Sequence, residues 1–255
     1  MHASWAARTD PGLRRSHNED CYCARPELGL FVVADGMGGH AGGEIAAQIA
    51  VDAIAGAVES TRSLGPDDPW PVPFDASLSP AGNRLRAAFD QAQRCIADRA
   101  ASVVALRGMA TTAVAVLLEE SAGVIAHVGD SRAYLSRQEG LIRLTSDHSW
   151  VEERVRAGLL SEAAARAHPW RNVVTRAISG EEPVAADVSE LSLRPADRLL
   201  LCSDGLSSVL PDPEIGDVVA RDADRQAVCD ELVRRVNAGG GPDNVTILVL
   251  DIGAG

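Results

Sequence analysis

Residues 30–40 read L-F-V-V-A-D-G-M-G-G-H, and the rest of the chain is organised around them. Leu30, Phe31, Val32, Val33 and Ala34 form an apolar run closed by a glycine-rich turn signal, the pattern of a buried strand. Asp35 then stands where a core strand meets a loop. A carboxylate there is costly to bury unless it is hydrogen-bonded, neutralised or bound to a cation. The arrangement recurs at residues 199–205, L-L-L-C-S-D-G, which place Asp204 after a second apolar run. A third acid, Asp243, precedes the strand predicted over 245–250. Three carboxylates at the ends of apolar strands point to one oxygen-rich site for a hard cation such as Mg²⁺ or Mn²⁺.

The chain has 255 residues and can bury a sizeable core, with 46% hydrophobic and 24% charged residues, ordinary values for a globular protein. Its net charge of −12 and the lack of a basic patch argue against nucleic acid or an anionic membrane as the main partner. The five cysteines are odd in number and include no C-x-x-C pair, which argues against a disulfide framework or a zinc ribbon. The first residues contain no apolar signal core, and no run is long enough to span a bilayer. The expected compartment is the cytoplasm.

Strands are predicted over 5–9 and 21–24, the second preceded by the polar knot R-R-S-H-N-E-D at 14–20. Within that knot Glu19 and Asp20 offer further carboxylates, and Arg15 offers a planar fork suited to a phosphate. Helices are expected over 41–58 and 83–105, with a Pro-, Asp- and Ser-rich loop between them at 60–80. The period then changes to short strands at 111–118, 122–128, 133–136 and 141–145, an antiparallel meander. Asp130 lies in its G-D-S-R turn, where an aspartate often bonds its own backbone. Two short helices over 150–168 and strands over 173–178, 187–193 and 198–202 follow. A helix over 224–237 carries the stripe Cys229, Leu232, Val233 and Val236. Strands and helices are segregated rather than alternating, which favours an α+β fold with antiparallel sheets.

Taken in order, R-S-H-N-E-D, D-G-M-G-G-H, G-D-S-R-A-Y, L-T-S-D-H-S, T-R-A-I, C-S-D-G-L and G-P-D-N-V-T resemble the metal-dependent serine/threonine protein phosphatases of type 2C, the PPM family, in their bacterial form. The resemblance covers nearly the whole chain as one catalytic domain, residues 1–255. It implies a β-sandwich of two antiparallel sheets with helices on both outer faces and a two-metal centre at one end. Asp35 would bridge both ions and Gly36 would lend its carbonyl. Asp204 and Asp243 would bind one ion, and Glu19 and Asp20 would support the other. Asp130 would hold a third, weaker ion, Arg15 would grip the phosphate, and residues 148–172 would form a mobile flap. The ions would be Mn²⁺ or Mg²⁺. The nucleophile implied is a hydroxide between two ions roughly 3.5–4 Å apart. Partners would be phosphorylated proteins, including a serine/threonine kinase and its substrates, and a monomer is expected.

Two other readings are open to the sequence. G-M-G-G-H-A at 36–41 formally matches a dinucleotide-binding fingerprint, but Asp35 would face the pyrophosphate and no second parallel strand follows. A non-catalytic binder with the same fold is disfavoured because every expected carboxylate is present. Animal members carry a histidine, a proposed general acid, where this chain has Met37. His40 is the nearby candidate, either as the acid that protonates the leaving oxygen or as a helix-entry residue.

Overall fold

The 30–34 run is a strand, but it does not stop at Ala34. The computed structural model describes residues 2–38, 42–119, 122–221 and 223–253. It opens with β1 (His2–Asp10), β2 (Asp20–Arg25), β3 (Leu30–Met37), α1 (Gly42–Ser60) and α2 (Pro80–Ser102). The meander follows as β4 (Ala110–Leu118), β5 (Ala122–Val128), β6 (Arg132–Arg137) and β7 (Gly140–Arg143). After α3 (Trp150–Arg156) and α4 (Glu162–Arg166) come β8 (Ile178–Ser179), β9 (Asp187–Ser192) and β10 (Arg198–Cys202). The chain closes with α5 (Asp204–Ser207), α6 (Asp212–Val219), α7 (Arg225–Ala238) and β11 (Val245–Gly253).

The strands form two antiparallel sheets, in the orders β1-β11-β10-β6-β7 and β2-β3-β4-β5-β9, with β8 on β4. Side chains alternate across a strand, yet Leu30–Ala34 of β3 are all apolar because both faces of this part of the strand are buried. Leu30, Val32 and Ala34 pack against α1 and α2, with Leu85, Phe89 and Ile96. Phe31 and Val33 face the other sheet, among Val114, Leu135, Leu199, Leu201, Leu248 and Leu250. Burying a side chain such as Phe31 is worth about 1.5–3 kcal/mol. On the opposite outer face, α6 and α7 cover the first sheet through Ile215, Val218, Leu232 and Val236.

Several boundaries differ from the sequence expectation. The α2 helix begins at Pro80, because Ser79 caps it and accepts from the Gly82 amide at 3.0 Å. The expected strand over 173–178 reduces to Ile178–Ser179. Val174 makes only an isolated bridge to Ser149, and the exposed polar stretch around Arg171 and Asn172 has no sheet to join. The short helices α5 and α6 were not expected. Most important, β3 continues through Asp35 to Met37. Asp35 is held inside the ladder, opposite Asp20 on one side and Thr112 on the other.

Candidate metal centre

Strand parity places the first two acids. Asp35 has the parity of Phe31 and Val33, so its side chain faces the gap between the sheets. Asp20 is its direct cross-strand partner, and opposed residues share a face. The other sheet reaches the same end through the C-terminus of β10 and the N-terminus of β11. There Ser203 and Asp204 follow Cys202, and Asp243 and Asn244 precede Val245. The gap between the sheets therefore ends in carboxylates contributed by both.

Like charges this close oppose one another's ionisation. Burial pushes Asp20 up to about 7, with the Asp204 and Asp243 charges adding to the effect. Burial and the Asp243 charge raise Asp204 to about 6, partly offset by a hydrogen bond with Asp35. Burial first, then Asp20, Asp204, Asp130 and Asp243, hold Asp35 well above the carboxylate range. Asp130 is raised well above that range by burial and by Asp204 and Asp147. Glu19 is raised by burial and by Asp243 and Glu44, against the pull of Arg15.

One carboxylate oxygen points to the chemistry of the site. Asp20 Oδ2 accepts from Ser203 Oγ at 2.7 Å, but Asp20 Oδ1 is buried with no hydrogen-bond partner. An unsatisfied carboxylate oxygen among other carboxylates fits a hard cation better than any internal arrangement. The donor set, all oxygen, suits Mg²⁺ or Mn²⁺.

The loops that carry the remaining donors are fixed by one amide side chain. Asn244 Oδ1 accepts from the Glu19 amide at 2.8 Å, and its Nδ2 donates to the carbonyls of Pro11 and His17 at 3.0 and 2.8 Å. Glu19 is accommodated by glycines. A Cβ at Gly43 would fall 2.5 Å from Glu19 Oε2, and one at Gly36 would strike the Gly43 carbonyl. At the rim, Arg15 Nη2 donates to Asp243 Oδ2 at 2.8 Å while its side chain stays 55% exposed. Asp243, Glu19 and Asp35 together raise the Arg15 pKa, so the guanidinium stands beside all three.

Asp130 joins from the turn after β5 and is buried. It and Asp204 line a cleft of about 530 Å³ that runs out to Glu162, Arg166, Arg171 and Asn172. On the cleft wall the half-buried Arg132 forks onto both oxygens of the buried Asp147 at 2.9 and 2.6 Å. Arg143 then joins Asp147 to Glu152 in the first turn of α3. In the same segment Trp150 stacks on His168 and meets Trp170 edge-on, an aromatic cluster.

The structure thus brings together Arg15, Glu19, Asp20, Asp35, Gly36, Asp130, Asp204 and Asp243, eight of the residues named from sequence. His40 lies outside the described residues. Sequence reasoning missed Ser203, Asn244, Arg132 and Asp147. Two of them, Ser203 and Asn244, sit beside expected acids, and that adjacency was the available signal.

A second cluster, His127, His148 and Asp187, has metal-ligand spacing. Hydrogen bonding assigns it otherwise. His127 Nε2 faces the Ser146 carbonyl at 2.9 Å, and His148 Nδ1 takes the Gly129 amide hydrogen at 3.0 Å. The His148 proton is therefore on Nε2, 3.2 Å from the acceptor Asp187 Oδ2, and the donor-only Arg176 guanidinium makes no hydrogen bond to that nitrogen but pairs with Asp187 instead. No lone pair of His148 is left for a cation.

The family profile described as Protein phosphatase 2C matches residues 15–242. The serine/threonine phosphatase stp of Listeria welshimeri is 35% identical over 254 residues, covering 98% of this chain and 96% of the relative. The crystal structure of the Mycobacterium tuberculosis serine/threonine phosphatase PstP/Ppp superposes with a TM-score of 0.87 at 35% identity, covering 100% of both chains. The catalytic domain of PstP in complex with two manganese ions gives a TM-score of 0.81 at 33% identity, covering 99% of each.

Proposed function

The chain belongs to the protein phosphatase 2C family, and from that premise we propose how its acid cluster works. It is a metal-dependent protein serine/threonine phosphatase. The single observation that carries the site reading is the buried, partnerless Asp20 Oδ1 within a ring of mutually repelling carboxylates.

In this reading Asp35, Asp204, Asp243, Asp20, Glu19 and the Gly36 carbonyl hold two divalent cations, and Asp130 holds a third more weakly. Bound cations would supply an acidified water as nucleophile and positive charge against the phosphoryl oxygens. The chain's own residues do the rest. Arg15 swings between Asp243 and the phosphate, which its planar fork can grip with two charge-assisted bonds. Asn244 keeps Glu19 in place against Gly43. Burial between the sheets limits water and strengthens each electrostatic contact. The cleft toward Arg166 and Arg171 takes the polypeptide on either side of the phosphorylated residue.

Partners in this reading are proteins phosphorylated on serine or threonine, among them the substrates of an opposing kinase. The cytoplasm, where ATP-dependent kinases act, is the proposed compartment. The test is phosphate release from a phosphothreonine peptide by protein stripped of metal and then supplied with Mn²⁺ or Mg²⁺. Activity that survives stripping in excess chelator refutes the reading.

A further inference from the structure

The Gly129–Asp130 turn is gripped by one residue from two directions. His148 Nδ1 accepts the Gly129 amide hydrogen at 3.0 Å, and the His148 amide donates to the Gly129 carbonyl at 2.9 Å. Gly129 has φ +102°, and a Cβ there would strike the Thr112 side chain, so the turn is wedged between β4 and His148. Thr112 Oγ1 also bonds Ser131 Oγ at 2.6 Å. Asp130, between two clamped neighbours, is buried and lines the cleft beside Asp204.

The clamp is itself held. With Nδ1 accepting, the His148 ring proton is on Nε2, 3.2 Å from Asp187 Oδ2. Arg176 pairs with the other Asp187 oxygen at 2.7 Å, and the His127 ring stacks on His148 at 4.6 Å between centroids. The backbone of His148 accepts from the Thr175 amide at 2.8 Å, and Ser149 bridges Val174. Both ends of the segment that contains α3 and α4 therefore meet at this residue.

We propose that His148 is a positioning residue: it fixes the Gly129–Asp130 turn so that the Asp130 carboxylate is preorganised for a cation, and it ties that turn to the base of the flap. The proposal rests on the reading of Asp130 as the weaker cation site. Without the imidazole acceptor the buried Gly129 N–H has no partner, and the turn must shift to find one. Groups that orient a ligand from behind alter metal affinity without touching the metal.

Two variants separate the contacts. His148→Asn places its amide oxygen near the Nδ1 position, keeping an acceptor for Gly129 while giving up Asp187. His148→Gln reaches toward Asp187 but offers Gly129 no acceptor. Metal-stripped protein is titrated with Mn²⁺ by calorimetry, and Gly129 amide exchange is followed by NMR. In His148→Gln the weaker Mn²⁺ step should lose about 10- to 100-fold in affinity, the tighter steps should hold, and Gly129 should exchange faster. In His148→Asn both quantities should stay near wild type. An unchanged weaker step in His148→Gln overturns the proposal, as does equal behaviour of the two variants. If His148→Gln does not fold, His148→Asn still decides: wild-type Gly129 exchange with a weakened Mn²⁺ step overturns it. Asp130→Ala is the reference. If it leaves the weaker step intact, the cation reading of Asp130 fails, and Gly129 exchange still reports whether His148 holds the turn.

Discussion

Replacing Asp20 by Asn should stabilise the metal-free protein and weaken its response to metal. Asp20 is half-buried opposite Asp35, and its carboxyl is pushed from an ordinary 3.8 up to about 7. A folded-state pKa above the unfolded value means a contribution fully present below the unfolded pKa and lost as pH rises through the folded one. The loss therefore develops between about pH 4 and pH 7. At pH 8 a shift of this size corresponds to about 4 kcal/mol, an upper bound because Asp35 and Asp204 readjust when Asp20 loses its charge. Asn keeps an oxygen for the Ser203 hydroxyl and puts an N–H where Oδ1 has no partner, facing neighbouring acids. In chelator at pH 8, Asp20→Asn should be more stable than wild type by about 2–4 kcal/mol, or roughly 4–16 °C in Tm. At pH 4.5 the gap should shrink to about 1 kcal/mol or less. Saturating Mn²⁺ should reverse the order, because a ligand bound only by the folded state stabilises through its affinity. The assay is thermal unfolding with and without chelator at both pH values. A less stable Asp20→Asn in chelator at pH 8, or a gap that ignores pH, refutes the reasoning.

The other predictions concern turnover. Asp35→Asn, Asp204→Asn and Asp243→Asn should each cost at least about 100-fold in kcat on a phosphothreonine peptide while circular dichroism stays native; wild-type rates in Asp204→Asn contradict the assignment. Asp130→Ala should raise the Mn²⁺ concentration needed for half-maximal turnover while calorimetry still shows two tight ions; loss of all metal binding would make Asp130 a core ligand. Arg15→Ala, which also frees Asp243, should raise KM clearly, by about tenfold or more in steady-state kinetics; an unchanged KM removes Arg15 from phosphate binding. Arg171→Ala, in the cleft beyond the acids, should lower kcat/KM for a phosphoprotein several-fold more than for a small aryl phosphate; equal losses would place Arg171 in the chemistry.

The parts of the site legible in the sequence are those written as an acid beside an apolar run. The Leu30–Ala34 and Leu199–Cys202 runs are continuous because both faces of each strand are covered, so Asp35 and Asp204 stand out against them. That β3 continues past Asp35 was not legible, since the ladder there is sustained by Asp20 and Thr112, remote in sequence. Ser203 and Asn244 were hidden for a similar reason. Each acts through a partner about 180 or more residues away, Asp20 for one and the Glu19 amide for the other. The Arg132–Asp147 pair joins the start of β6 to the loop after β7 and had no periodic signature. The α6 helix was not expected, although a proline at the first helical positions, here Pro213, is a start signal.

The pairing of Asp20 with Asp35 is the strongest internal reason to place cations here rather than a purely structural polar cluster. Directly opposed like charges destabilise a sheet, and a strand pair selected for stability alone would oppose an acid with a base or a hydroxyl. The chain has a cation within reach, Arg15, but it bonds Asp243 at the rim and leaves the inner acids unpaired. The Asp20 carboxylate meets neutral hydroxyls, Ser203 and Thr246, and the negative charges of Asp204 and Asp243. Arg132, on the far wall, lowers the Asp130 and Asp204 pKa values but is already committed to both oxygens of Asp147. The compensating positive charge must therefore come from outside the chain. In the proposed reading the same excess of acids that weakens the metal-free fold supplies the affinity for divalent ions, so stability and catalysis should respond to chelator together.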